Sequence, residues 1–379
     1  MSDTARVSAE LARIDAFFPV LQGLGTRWAA SRPFEGLTVG VHLHLTTITL
    51  ALIRELVLGG GRWVVSAANP ATTDPGVVEY LRTLDLEVHT GRGSRDGVAA
   101  TVAAEPMLFA DVGFRLGSAL LDDGQCPRGG VEITRSGVSV LRDRLPLPFP
   151  VLNINDGRLK PAIESRRGVG EGLWPAFTQL TGQHLSGRMV LVVGYGPVGA
   201  GVASFARAAG ATVEVAELDP VRRLVAHYDG LATTDAVPAL KRARIVVTAT
   251  GRQNTLGPAE LACMPDGSIV LSAGHGGDEI DVAWLRNNAT TVDQIGARVV
   301  RYTLPGGRRV TVLADGHPLN IVSNLGSPEP VLLHFLLLGL GLEDVARKEL
   351  DAGEVAVPAA LEEEAARLAL GVIERPLGA

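Results

Sequence analysis

Residues 190–220, VLVVGYGPVGAGVASFARAAGATVEVAELDP, constrain the fold more tightly than any other stretch. Four apolar residues, 190–193, read as a buried parallel strand. Gly194, Gly196 and Gly199 follow with G-x-G-x-x-G spacing, and a small-residue helix is expected over 197–209. A second strand is expected at 213–216, closed by Glu217. Each part has a physical task. Gly194 permits a tight turn, Gly196 lets backbone approach a pyrophosphate, and Gly199 lets helix pack on strand. The free N–H groups of the helix start face phosphate charge. Glu217 can accept both hydroxyls of an adenosine ribose and would repel a 2′-phosphate, which favours NAD over NADP. A lone glycine pattern is weak evidence; strand, helix and acid in register make it strong.

At 379 residues the chain is long for one core, so two domains are the prior. Hydrophobic content of 46% with 20% charged residues suits a well-buried globular protein rather than a disordered one. A net charge of −6 without a basic block argues against nucleic acid as a partner. Cys126 and Cys263 have no metal-ligand spacing, which fits a reducing, cytoplasmic setting. The polar start MSDTARVSAELARID shows no signal peptide. The most apolar run, VLLHFLLLGLGL at 331–342, is too short to span a bilayer. It reads as a buried core or subunit-interface helix, so no membrane partner is expected.

Upstream of the nucleotide unit, residues 4–23 read as one helix, 37–42 as a strand, 46–59 as a helix and 62–67 as a strand. Residues 75–84 and 87–90 continue as helix and strand. This alternation implies a parallel sheet covered by helices. The strand ends at 42–44 and 67–69 then lie at one sheet edge, where α/β proteins bind ligands. Residues 107–121 continue the pattern and end at Asp122-Asp123-Gly124. Residues 125–144 read as irregular, 151–154 as a strand, and 155–168 as a loop feeding a helix at 171–180. Beyond Glu217, strands at 243–248 and 268–272 extend one doubly wound sheet to about residue 300. A hairpin is expected at 302–313 around Pro305-Gly306-Gly307. The helices of 331–370 should pack back on the first domain.

Several residues offer chemistry. His42 and His44 alternate on the expected strand and so share a face, but no third ligand is spaced nearby and no metal is expected. Asp122-Asp123 before a glycine reads equally as a turn. Lys160 sits in a loop, and His275 lies between glycines that would allow a ligand to approach closely.

Taken together, these stretches resemble the S-adenosyl-L-homocysteine hydrolase family over nearly the whole chain. The matching segments are HLHLT (42–46), NPATTD (69–74), LLDDG (120–124), NINDGRLK (153–160), GYGPVG (194–199), ELDP (217–220), TATG (248–251), AGHGGDEIDVAWL (273–285) and VLADGHPLN (312–320). The resemblance implies an α/β protein of two domains. A doubly wound Rossmann NAD-binding domain at 166–326 is inserted in an α/β substrate-binding domain at 1–165 and 327–379. It implies tightly held NAD, regenerated each turnover, and a homodimer or homotetramer. It implies oxidation of the 3′-hydroxyl of an adenine nucleoside, loss of the acidified C4′ proton, departure of the 5′ substituent, and re-reduction.

By the same resemblance Lys160 takes the 3′-hydroxyl proton and Asn155 supports it. Asp123 deprotonates C4′, His44 handles the proton at the 5′ position, and His275 lies near the ribose. Thr46 and Asn69 contact substrate. Gly194, Gly196, Pro197, Val198, Gly199, Glu217, Thr250 and Asn320 contact the cofactor. Departures stand beside these matches. Glu164 and Ser165 replace the aspartate and asparagine after the lysine, and Glu164 is kept as a candidate catalytic residue. Ile48 stands where a glutamate contacts adenine, and Ile133 where a catalytic-site glutamate falls. Ser327 replaces a histidine, and the segment after Asp123 is short. The end at 370–379 departs from the family's basic, tyrosine-bearing tail, which leaves open whether a neighbouring subunit contacts NAD. The machinery for redox and elimination is kept while the recognition shell is rebuilt. The leading expectation is therefore a diverged paralogue that eliminates water to leave an exocyclic alkene. The alternatives are release of homocysteine, or a catalytically dead NAD-binding regulator.

Overall fold

The computed structural model describes residues 2–91, 94–274 and 278–374. The chain divides into two compact units, Met1–Lys160 with Pro328–Ala379, and Pro161–Ser327. Six strands precede the second unit: β1 Thr38–Leu43, β2 Arg62–Ala67, β3 Glu87–His89, β4 Leu108–Asp111, β5 Gly129–Glu132 and β6 Pro150–Asn153. Eight lie within it: β7 Met189–Val193, β8 Thr212–Ala216, β9 Ala232–Thr234, β10 Ile245–Thr248, β11 Ser268–Ser272, β12 Thr291–Gly296, β13 Val299–Thr303 and β14 Arg309–Leu313. One more, β15 Gly353–Ala356, follows it.

The first unit holds a seven-stranded sheet in the order β15-β6-β5-β4-β1-β2-β3, and every pair in it is parallel. Its five inner strands are buried on both faces and are therefore largely apolar, with Val39, Val41, Val64, Val65, Leu108 and Phe109 all inaccessible. The helix Glu329–Arg347 contains the long apolar run and is buried over Leu332–Ala346. It packs on β4 and β5 and on the helix Thr47–Leu56, so the run is core within this unit.

The second unit holds an eight-stranded sheet in the order β12-β13-β14-β11-β10-β7-β8-β9. It is parallel from β14 to β9, and β12-β13-β14 form an antiparallel extension. The Pro305-Gly306-Gly307 hairpin joins β13 to β14, which carry the sheet past residue 300, and β12, which the sequence did not indicate, forms its edge. Every residue of β12 is exposed, so it has no buried face to give it a readable alternation.

Four other expectations need correction. Residues 4–23 are two helices, Asp3–Phe17 and Gln22–Ser31, because Pro19 pushes Phe18 out of the helical region. Residues 125–144 are not irregular; they contain β5 and the helix Arg135–Asp143. Gly129-Gly130 hid the strand: Phe109 and Val345 fill the space their side chains would need. Residues 161–168 are a π-helical turn rather than loop, running directly into the helix Val169–Thr181. β15 was also missed, and it pairs with β6 at the edge of the first sheet.

Candidate active site

In the first unit the strand registers assemble one transverse row near the carboxyl ends of the strands. Ser66 pairs with His42, His42 with Asp111, Asp111 with Glu132, and Glu132 with Asn153. All five polar residues are buried. The Ser66 hydroxyl donates to the Val41 carbonyl, so the His42 Nδ1–H donates to Ser66 Oγ at 2.9 Å. Burial, then His44 and Arg115, pushes the His42 ring down to about 3, and it is neutral. Glu132 accepts from Gly113 N, Phe114 N, Thr134 N and Thr134 Oγ1. Asp111 accepts from Gly117 N at 2.9 Å, while its Oδ1 is buried without a partner among the described residues. Burial and the neighbouring Glu132 charge push Asp111 well above the usual aspartate range, and burial also raises Glu132. Four donors favour the charged form of Glu132, so the pair holds its shared proton on Asp111. His42 Nε2 also has no partner among the described residues. Asp111 and His42 thus each leave one buried polar atom without a partner among the described residues.

The residues just beyond the strands form the edge. β1 stops at Leu43, so His44 is not a strand residue and the shared-face reading of His42 and His44 does not hold. Thr72 Oγ1 donates to the Asn69 carbonyl at 2.9 Å, so it accepts the His44 Nδ1–H at 2.6 Å. That tautomer, assigned from the network, makes Nε2 the basic nitrogen of His44. Thr46 caps the helix Thr47–Leu56, and Asn69 caps the turn Pro70–Thr72. Following β6, Asn155 Oδ1 accepts from Lys160 Nζ at 2.9 Å. His44, Thr46, Asn69, Asn155 and Lys160 therefore all follow strands at the same end of one sheet. Ile48 and Ile133 are buried.

Asp123 is not among them. It terminates the helix Arg115–Asp122, which leads away from the carboxyl end of β4. Gly124 at φ +76 stops that helix, and Arg128 N already bonds the carbonyl of Met107, the residue before β4. Asp123 thus lies at the opposite edge, exposed, accepting from Gln125 Nε2. The turn reading of Asp-Asp-Gly is the correct one. The open groove of about 780 Å³ lined by Asp122 and Asp123 contains none of His44, Asn155 or Lys160. The acids that end strands at this edge are Asp111 and Glu132. Each closes a buried strand, LFAD and GGVE, and an acid ending an apolar run was the signal available in the sequence.

In the second unit Thr248, Val193 and Ala216 are in register, with Ser272 beside Thr248. The turn 194–199, Glu217, Thr250 and Gly274 therefore follow strands at one edge. Gly194 has φ +98, and a Cβ there would sit 2.7 Å from the Ala249 carbonyl oxygen. A Cβ on Gly199 would sit 2.0 Å from the Gly194 carbonyl, whereas one on Gly196 would meet only Arg222, at 3.7 Å. The first and third glycines are thus required by packing, and the second faces open space. The helix Pro197–Ala208 starts with no side-chain cap, which leaves its first N–H groups for an anion. Glu217 accepts from Tyr195 N at 2.6 Å and Asp219 N at 2.9 Å, using two of its four acceptor positions. Asn320 Oδ1 is buried without a partner among the described residues.

Glu279, which sequence reasoning missed, accepts from Thr250 N, Thr250 Oγ1 and Gly251 N. A Cβ on Gly274 would overlap Glu279 Oε1 at 1.4 Å, so that glycine makes room for the acid. Glu164 lies in the π-helical turn and accepts from Ser165 Oγ at 2.9 Å. His275 lies outside the described residues. The open space at Gly196, the uncapped helix start, the spare acceptor capacity of Glu217 and the orphaned Asn320 oxygen together fit a dinucleotide.

Residues 167–326 match the family model described as S-adenosyl-L-homocysteine hydrolase, NAD binding domain. An S-inosyl-L-homocysteine hydrolase of Methanopyrus kandleri is 32% identical, over 93% of this chain and 87% of that protein. An adenosylhomocysteinase of Aquifex aeolicus is 32% identical, over 94% and 89%, and one of Thermococcus kodakarensis 31%, over 94% and 88%. A solved putative D-3-phosphoglycerate dehydrogenase of Ralstonia solanacearum aligns at 16% identity and TM-score 0.46, over 86% of this chain and 98% of that one.

Proposed function

Because the chain belongs to the S-adenosyl-L-homocysteine hydrolase family and uses NAD, we propose that it oxidises the 3′-hydroxyl of an adenine nucleoside, eliminates water across C4′ and C5′, and re-reduces the ketone. Gly194, Gly196, Pro197, Val198 and Gly199 would hold the pyrophosphate, Glu217 the ribose hydroxyls, and Thr250 and Asn320 the remainder of the dinucleotide. NAD, when bound, supplies hydride acceptance from the sugar carbon and hydride return, so the net reaction is redox-neutral.

Every proton is moved by the chain. Lys160, oriented by Asn155, takes the proton of the hydroxyl being oxidised. Asp111, in place of Asp123, takes the C4′ proton on its unpartnered Oδ1 after releasing the proton it holds at rest, and the Glu132 charge beside it raises its basicity. His44, oriented by Thr72 and carrying a second proton on Nε2 for this step, delivers it to the departing 5′ oxygen, so the C5′–O bond breaks and water leaves. Thr46 and Asn69 contact the sugar end of the substrate. What carries this reading is the buried apolar pair Ile48 and Ile133, at positions where the resemblance puts carboxylates. Two buried isoleucines cannot accept the hydrogen bonds that those acids would, and a changed substrate follows. A cytoplasmic homodimer or homotetramer belongs to the same proposal.

The second reading is hydrolysis of an S-nucleosyl-homocysteine, favoured by 31–32% identity to hydrolases along nearly all of the chain. Mass spectrometry of products from a panel of adenine nucleosides, with S-adenosylhomocysteine included and free thiol trapped, separates the two. Loss of one water from a nucleoside supports elimination; abundant thiol overturns it in favour of hydrolysis.

A further inference from the structure

We propose that Glu362 positions Lys160, by clamping the backbone that carries it. This rests on the reading that Lys160 takes the hydroxyl proton. Glu362 stands in the first turn of the helix Ala359–Ile373, remote in sequence from the β6 loop, and is 5% exposed. Its Oε1 alone accepts both Arg158 N, at 2.6 Å, and Leu159 N, at 2.8 Å. Those are the two residues immediately before Lys160. Arg158 Nε adds an ion pair to Oε2 at 3.3 Å.

Gly157 shows how close this approach is. A Cβ there would sit 2.6 Å from Glu362 Oε1 and 2.7 Å from Val357 Cγ1. The chain therefore carries a glycine where the loop meets the helix. Upstream, Glu354 of β15 holds the start of the same loop by accepting from Asn153 Nδ2 at 2.8 Å. Lys160 is thus fixed twice. Glu362 fixes the backbone before it, and Asn155 fixes its Nζ. A lysine side chain has four freely rotating bonds, so placement of its amine depends on both ends being held. β15 and the helix after it act as a brace for the loop, with one carboxylate oxygen as the point of contact.

Three variants of the NAD-loaded full chain test this, read as the single-turnover rise of the reduced-nicotinamide band on adding adenosine. Glu362→Ala should slow that rise by about 100-fold, with bound NAD and the thermal midpoint little changed. Glu362→Gln keeps the Oε1 acceptor and should stay within about threefold of wild type, a rescue that a requirement for charge would not give. Gly157→Ala should slow the rise by about tenfold, and it carries the test if Glu362→Ala does not fold. A wild-type rate in Glu362→Ala or Gly157→Ala overturns the proposal, and so does a Glu362→Gln variant as slow as Glu362→Ala. Lys160→Ala, run alongside, keeps the two ideas apart. Unchanged reduction in that variant defeats the Lys160 assignment itself. Loss there with no loss in Glu362→Ala defeats only the clamp.

Discussion

Four carboxylates of this protein act on backbone. Glu132 holds the turn after β4, Glu217 the turn after β7, Glu279 the turn after β10, and Glu362 the loop after β6. A buried acid that accepts several N–H groups rigidifies a loop in a way that no apolar side chain can. Asp111 differs from these four: it accepts from Gly117 N, but its Oδ1 is unpartnered among the described residues, and burial beside Glu132 holds it protonated. That difference can be measured. A carboxyl whose native pKa is raised stabilises the fold below its unfolded pKa, near 3.8, and loses that contribution as pH rises through the native value. Asp111→Asn should therefore gain stability on wild type as pH rises from about 4 to 8, with a slope of at most about 1.4 kcal/mol per unit. Denaturation midpoints across that range check it, and a pH-independent difference would refute the protonated assignment. His42 runs the other way. Its native pKa is lowered from 6.5 to about 3, so its contribution is full above 6.5 and is lost as pH falls toward 3.

At the scale of elements, the strand–turn–helix at 190–217 was legible because its constraints are local. Three glycines, an apolar strand and a following acid lie within one short stretch. Gly199→Ala puts a methyl group 2.0 Å from the Gly194 carbonyl and must separate the helix Pro197–Ala208 from β7. It should destabilise the second unit by about 2–4 kcal/mol and abolish NAD retention. Gly196→Ala, facing open space, should leave the thermal midpoint nearly unchanged while still weakening NAD binding. Melting curves and bound-NAD content separate the two variants, and equal midpoints would refute the packing role of Gly199. β5 and β12 were hidden for opposite reasons. Gly129-Gly130 gave β5 no side chains to signal a strand, and full exposure gave β12 no alternation. The Asp122-Asp123-Gly124 turn misled because an acid pair before glycine ends a helix as readily as it lines a site.

For the whole molecule, NAD should protect amides at 194–199, 217–219 and 250–251 from hydrogen exchange. Unchanged protection at these three turns would count against the cofactor site. No helix among the described residues is long and apolar enough to cross a membrane. The sequence by itself determined the α/β class, the dinucleotide turn with its acid, and the family, and it named Lys160, Asn155 and His44 as candidates. Each of these is carried by neighbours a few residues apart, where period and turn chemistry act. Only the tertiary structure decided which acids share an edge with those residues. Register across five parallel strands lines up Ser66, His42, Asp111, Glu132 and Asn153, and sends Asp123 to the far side. Chain order carries no record of that row, because parallel strands are joined by crossovers whose length does not fix which residues come to lie side by side.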